Sequence, residues 1–155
     1  MEKRLNYFDL AENDYQYFRD DYLRGKFGNA LCAGSQNICE RYLKHLIDQY
    51  VRDIQTTSIM QTHNLRSLRK FLNDYLPQFT CDWKKVLLCN GYYFNARCPG
   101  DDAFITDKAD ADECWEAVEE TRSAVIDYIY NHNANVSSDD CTDGLLDTLK
   151  SFDQE

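Results

Sequence analysis

The sequence contains few of the residues that end short elements, with 6 glycines and 2 prolines among 155 residues. It also has no β-branched run with a period of two, so a fold of many short strands is disfavoured. No apolar run approaches the roughly 18 residues that a membrane-spanning helix needs. The first segment, MEKRLNYFDL, is charged and then amphipathic, without the apolar core of a secretory signal. We therefore expect a cytoplasmic helical protein that has no membrane contact.

Several motifs that carry chemistry are also missing. No pair of the seven cysteines has the CxxC spacing of common zinc motifs. The sequence has no P-loop, no dinucleotide-binding glycine pattern and no Ser–His–Asp order. We expect reduced cysteines, no metal site and no cofactor.

Positive charge is scarce in the last third of the chain. The net charge is −10, and residues 101–155 hold 16 acidic residues against three basic ones. Residues 1–100 hold 14 basic and 11 acidic residues, which leaves room for a basic face that attracts phosphates. The alternative is ordinary solvated helix faces with local ion pairs. The cations in question are Arg41, Lys44, Arg66, Arg69, Lys70, Lys84 and Lys85.

What the sequence does contain is helical periodicity. A first stripe between about Leu5 and Leu23 repeats at steps of three and four, through Phe8, Ala11, Tyr15, Phe18 and Tyr22. Gly25 and Gly28 then predict a break. The strongest pattern is a wide apolar face made by Ile38, Tyr42, Leu43, Leu46, Ile47, Tyr50, Val51 and Ile54. Its polar side carries Glu40, Arg41, Lys44, Asp48 and Arg52, and we expect the segment QTTSIMQT to end it.

Three further helices are predicted downstream. One runs from about Asn64 to Tyr75 with Thr62 as its N-cap and Pro77 after its end, and another spans Trp83–Tyr93. A fifth helix begins near Asp110, where Asp110 and Glu113 have capping-box spacing. Its expected inner stripe is Trp115, Val118, Thr121, Val125, Tyr128, Ile129 and His132.

These patterns predict an all-α fold. We expect one domain over residues 1–155, an antiparallel up-and-down bundle of four to five main helices, with a short C-terminal helix over residues 139–152. The high aromatic content, 14%, predicts an aromatic-rich core.

Three segments resemble the HEPN family (higher eukaryotes and prokaryotes nucleotide-binding). In SQNICERYLKHLI, residues 35–47, Gln36, Glu40 and Lys44 fall on polar positions of the family's second helix. THNLRSL, residues 62–68, is similar to the opening of its third helix. YYFNARCPG, residues 92–100, is similar to a family loop that usually has Tyr where this chain has Cys98. The resemblance covers about residues 5–132.

The resemblance implies a helical bundle, a homodimer, and nucleotide or RNA binding beside a minimal nucleotidyltransferase partner in a toxin–antitoxin-like pair. Ribonuclease members carry an Arg, then four to six intervening residues, then a His, and no arginine in this chain has a His at that spacing. We therefore expect a non-catalytic binding domain. The alternatives are a helical protein-interaction and dimerisation module and, last, a divergent ribonuclease.

The predicted phosphate-binding residues are Arg97, Asn95, Tyr93, Lys44 and His63. The guanidinium of Arg97 is suited to gripping a phosphate, although it could instead pair with Asp101 or Asp102 and fix its loop. His63 could carry a proton near neutral pH, or it could simply support the start of the third helix.

Overall fold

The computed structural model describes residues 4–96, 98–101 and 103–136, apart from the side chains of Tyr93, Phe94 and Val136. Regular structure within these residues is entirely helical, which confirms the predicted fold class. The elements are α1 (Tyr7–Leu23), α2 (Asn29–Tyr50), α3 (Thr57–Met60), α4 (Leu65–Tyr75), α5 (Trp83–Val86), a 3-10 turn (Leu87–Cys89), α6 (Tyr92–Asn95) and α7 (Lys108–Val136).

The side-chain contacts of α1 show how the long helices are oriented. Moving along α1, Phe8 lies beside His45 of α2 and Glu12 accepts a hydrogen bond from Tyr42 of α2. On its other side, Tyr15 donates to Glu119 of α7. As residue numbers rise along α1, the numbers of the contacted residues fall on both α2 and α7. The hydrogen bond from Tyr22 to Asp112 of α7 continues this trend. Helix α1 therefore runs antiparallel to both α2 and α7, as expected of an up-and-down bundle.

Aromatic rings fill the spaces between these helices. Phe8 meets Tyr42 edge-on with ring centroids 5.7 Å apart. Trp115 of α7 stacks on Tyr22 at 4.4 Å and on Phe18 at 5.9 Å. Such pairs add to the free energy gained from the buried apolar area. Aromatic rings therefore contribute to the packing of α1 against α2 and α7.

The boundaries of α1 and α2 follow the glycines. Helix α1 is capped by Asn6, whose side chain and that of Asp9 form a reciprocal capping box. Gly25, with φ of +75°, and Gly28, the N-cap of α2, form the predicted break. Helix α2 begins at Asn29, well before its apolar pattern is apparent, and ends at Tyr50.

Three predicted helix boundaries were wrong. Ile54 lies beyond the end of α2, and the segment expected to end that helix contains the short helix α3 instead. The N-cap of α4 is Asn64 rather than Thr62. The capping box of α7 is formed by Asp107 and Asp110, three residues before the predicted pair.

The predicted helix Trp83–Tyr93 is broken into α5, the 3-10 turn and α6. The break falls at Gly91, whose φ of +106° lies outside the helical region. Asn90, directly before this glycine, accepts a hydrogen bond from the backbone N–H of Leu65.

The chain divides into two compact units, Met1–Val125 and Ile126–Glu155. The described part of the second unit is the end of α7, where Ile129 is buried and Tyr128 stacks on His132 at 5.7 Å. His132 is exposed, so the predicted inner stripe of this helix ends before it. The predicted helix over residues 139–152 lies outside the described residues. The single-domain organisation remains a prediction.

Candidate functional site

Three polar side chains of α2 are buried where the sequence placed a solvated face. Gln36, Glu40 and Lys44 follow one another at steps of four, so they form one row along the helix. Each is at most 4% exposed. Since burial of polar groups is costly unless they have partners, this row requires hydrogen-bonding neighbours. Glu40 and Lys44, placed on the polar side of the helix by the sequence pattern, are therefore enclosed rather than solvated.

Glu40 is the centre of the row. Its carboxylate accepts a hydrogen bond from the Lys44 ammonium at 2.5 Å. Both of its oxygens lie close to the Nδ1 atom of His63, at 3.1 and 3.2 Å. A carboxylate only accepts, so the contact requires a hydrogen on Nδ1 of the imidazole. Because the His63 side chain is 45% exposed, this contact links a buried carboxylate to the molecular surface.

Gln36 joins the two loops that close over the row. Its amide nitrogen donates to the backbone carbonyl of His63 at 2.6 Å, and its amide oxygen accepts from the backbone N–H of Gly91 at 2.9 Å. The Asn90–Leu65 hydrogen bond, at 2.9 Å, connects the same two loops a second time. One buried side chain therefore fixes the start of α4 and the start of α6 relative to α2.

The predicted site residues are distributed around this network. His63 and Lys44 are brought together by Glu40, and the ammonium of Lys44 is directed at that carboxylate inside the protein. Asn95 is exposed at the end of α6, one turn after Gly91. Tyr93 belongs to α6, but its side chain and the whole of Arg97 lie outside the described residues. The assignment of these five residues to phosphate binding remains a prediction.

Sequence reasoning recognised Gln36 and Glu40 as parts of a resemblance but gave them no structural role. The available signal was their spacing. Gln36, Glu40 and Lys44 lie four residues apart on a helix whose apolar face is unusually wide, so a continuous polar row there is bound to be partly enclosed.

A second buried network ties α1 to α2 and α7. Glu12 is 2% exposed and accepts from Arg122 through both carboxylate oxygens, at 2.8 and 3.2 Å, and from Tyr42 at 2.5 Å. Burial alone would lower the pKa of Arg122, but the hydrogen bond and charge of Glu12 outweigh it and raise that pKa. Burial, and then Glu12, raise the pKa of Tyr42. With every partner satisfied, this network serves to hold the helices in place.

The described cysteines are all free thiols. Cys39 and Cys89 lie in the core with their sulfur atoms 3.8 Å apart, and burial raises the pKa of Cys81 to about 12. Nowhere in the described ranges do three or more His, Cys, Asp or Glu side chains come together in a way that could hold a metal ion. No helix in the described part of the chain is long and apolar enough to cross a membrane.

These observations define the protein as an all-α bundle in which a buried polar row links α2 to two loops. The HEPN domain family model matches residues 6–128, and the chain belongs to this family. No curated protein and no solved structure matches the chain significantly.

Proposed function

We propose that this protein is a non-catalytic nucleotide- or RNA-binding domain whose ligand site lies around His63 and the start of α6. One observation supports this most directly. The first two segments that carry the family resemblance meet at the side chains of Gln36 and Glu40, and Gln36 also holds the backbone of Gly91, directly before the third segment. The buried Gln36 side chain holds the loops at His63 and Gly91 against α2, and the buried Glu40 carboxylate holds the His63 imidazole. Loops fixed in this way are typical carriers of binding residues.

The electrostatics of the site suit an anionic ligand held at its surface. Lys44 offsets the charge of Glu40 inside the protein. The same carboxylate contacts Nδ1 of His63, and this contact holds the imidazole in one orientation at the surface. In the proposal, Lys44 positions His63 through Glu40, and Asn95, Tyr93 and Arg97 supply contacts from the other loop. An arginine provides the planar set of donors that recognises phosphate.

The test is a thermal-shift series of the whole chain against nucleotides and short RNA oligomers. A ligand present at about 100 times its dissociation constant should raise the melting temperature by roughly 5–10 °C. We expect His63→Ala and Arg97→Ala each to weaken binding about tenfold, equivalent to ~1.4 kcal/mol. The matched controls are His132→Ala and Arg24→Ala, both at exposed positions, and they should bind as the wild type does.

Two results would count against the proposal. A ligand-induced shift that survives both site substitutions would place the ligand elsewhere. A folded wild type that shifts with no nucleotide or RNA would overturn ligand binding and leave the protein-interaction alternative.

The proposal extends to partners. By the family resemblance the chain would form a homodimer and work beside a minimal nucleotidyltransferase in a toxin–antitoxin-like pair. Helix α1 offers an apolar surface for such contacts, since Tyr17 is 70% exposed and Leu10, two turns earlier on the same face, is 37% exposed. Light scattering of the purified chain, alone and with a nucleotidyltransferase, measures both associations.

A further inference from the structure

An open cleft lies along the outer face of α4 and reaches the 3-10 turn. Its volume is about 490 Å³, and it is named the α4 cleft here after the helix that supplies most of its lining. The lining residues are Arg66, Arg69, Lys70, Asn73, Asp74 and Leu87. Three of the six are cations and one is an acid, so this surface is locally basic in a chain whose net charge is −10.

The three cations of the α4 cleft differ from the cations of α2. Arg41 pairs with Asp14 and Lys44 with Glu40, which removes both from any basic face. Among the described residues, by contrast, no ion pair joins Arg66, Arg69 or Lys70 to a carboxylate. All three are exposed, so their donors are available to an external anion.

The spacing of these cations forms a row. Steps of three and four residues place Arg66, Arg69, Lys70 and Asn73 on one face of α4. With a rise of about 1.5 Å per residue, the row is roughly 10 Å long. A row of cations with an amide at its end fits a ligand whose negative charges repeat along a chain, and Leu87 adds an apolar surface beside them.

We propose that the α4 cleft binds the phosphate backbone of a single-stranded RNA. This inference rests on the proposed function and names the ligand more closely, as a strand whose successive phosphates face the row of cations. Two guanidinium groups suit phosphate, and a positively charged groove that tracks the backbone is typical of single-strand binding.

The same geometry connects the α4 cleft with the buried row on α2. Arg66 lies in the first turn of α4, three residues after His63, and the start of this helix is fixed by Asn64 and Asn90. A strand that follows the cations toward the N-terminus of α4 therefore arrives at His63. The cleft supplies affinity that is independent of base sequence, and the loops at His63 supply contacts to the nucleotide that reaches them.

The experiment compares two triple variants that remove the same charges from different places. One is Arg66→Gln with Arg69→Gln and Lys70→Gln, in the cleft. The control is Arg19→Gln with Arg24→Gln and Lys26→Gln, at exposed positions in and after α1. Fluorescence anisotropy with a short labelled single-stranded RNA is measured at several salt concentrations, after circular dichroism has shown that both variants fold. A polyglutamate peptide is the competing probe.

We expect the cleft variant to bind RNA at least about tenfold more weakly, with a log–log salt slope flatter by about 2 for three lost phosphate contacts. The control should change little. Equal losses of RNA affinity in the two variants, or unchanged affinity in the cleft variant, would overturn the proposal that RNA binds at the α4 cleft. Either result would leave RNA binding by the protein itself intact. A folded wild type that binds no RNA would overturn the proposed function itself. Binding of polyglutamate in preference to RNA would identify an acidic protein as the partner instead.

Discussion

At the scale of single residues, His45 is the most unusual group in the core. It is 2% exposed and packs between Phe8 and Tyr50, and its Nδ1 atom has no hydrogen-bond partner among the described residues. Burial lowers its pKa from 6.5 to about 4, although the charges of Asp48 and Asp9 act in the opposite direction. The folded protein therefore holds this imidazole neutral where an unfolded chain would bind a proton.

This burial predicts a loss of stability in mild acid. Because the folded pKa lies below the unfolded one, the free energy of unfolding should fall as pH drops from 6.5 to about 4 and then level off with respect to this group. The loss from His45 should amount to about 3 kcal/mol. His45→Phe should remove this component, as measured by urea unfolding across that pH range. His132→Phe is the control, and an equal pH dependence in His45→Phe and wild type would contradict the prediction.

Gln36 shows why a residue can be recognised in a sequence without its role being understood. A glutamine on a helix is ordinary, and its importance comes from two backbone groups that the fold brings to it, at His63 and Gly91. Neither partner is predictable from local spacing, since one lies 27 residues away and the other 55. The same applies to Glu12, whose partner Arg122 is 110 residues away.

At the scale of elements, the extents of α1 and α4 were predictable, but the start of α2 and the short helices were not. The periodicity of α1 and α4 located both to within two residues, because a repeated apolar stripe records which side faces the core. The region from Trp83 to Asn95 carries a similar stripe but contains Gly91, and its positive φ divides the region into separate short helices. A single glycine in a helical pattern is compatible with either outcome, as Gly34 inside α2 shows.

These two glycines give a matched prediction. At Gly91 a side chain would be strained by the φ of +106°, so Gly91→Ala should cost about 1–3 kcal/mol and loosen the contact with Gln36. At Gly34 an added Cβ meets nothing within 4 Å, so Gly34→Ala should stabilise the protein by about 0.5–1 kcal/mol. Chemical denaturation of both variants measures the difference. Similar effects at the two positions would show that the turn at Gly91 has been misread.

At the scale of the whole molecule, the distribution of charge matters more than its total. A net charge of −10 would ordinarily oppose RNA, and residues 101–155 account for the excess of acid. The first hundred residues supply both the α4 cleft and the Gln36–Glu40–Lys44 row, so the attraction is local. The sequence indicated this asymmetry, but only the fold separates the cations with partners, such as Arg41, from those that line an open surface.

The central claim is that the loops at His63 and at the start of α6 form one ligand site, and amide hydrogen exchange with and without saturating single-stranded RNA tests it most directly. We predict slower exchange at residues 62–70 and 90–96, because ligand contacts stabilise the loops held by Gln36. Exchange at residues 19–26, which include the end of α1, should be unchanged. Protection confined to α1, or no protection under conditions where RNA is bound, would contradict the claim that these loops form the site.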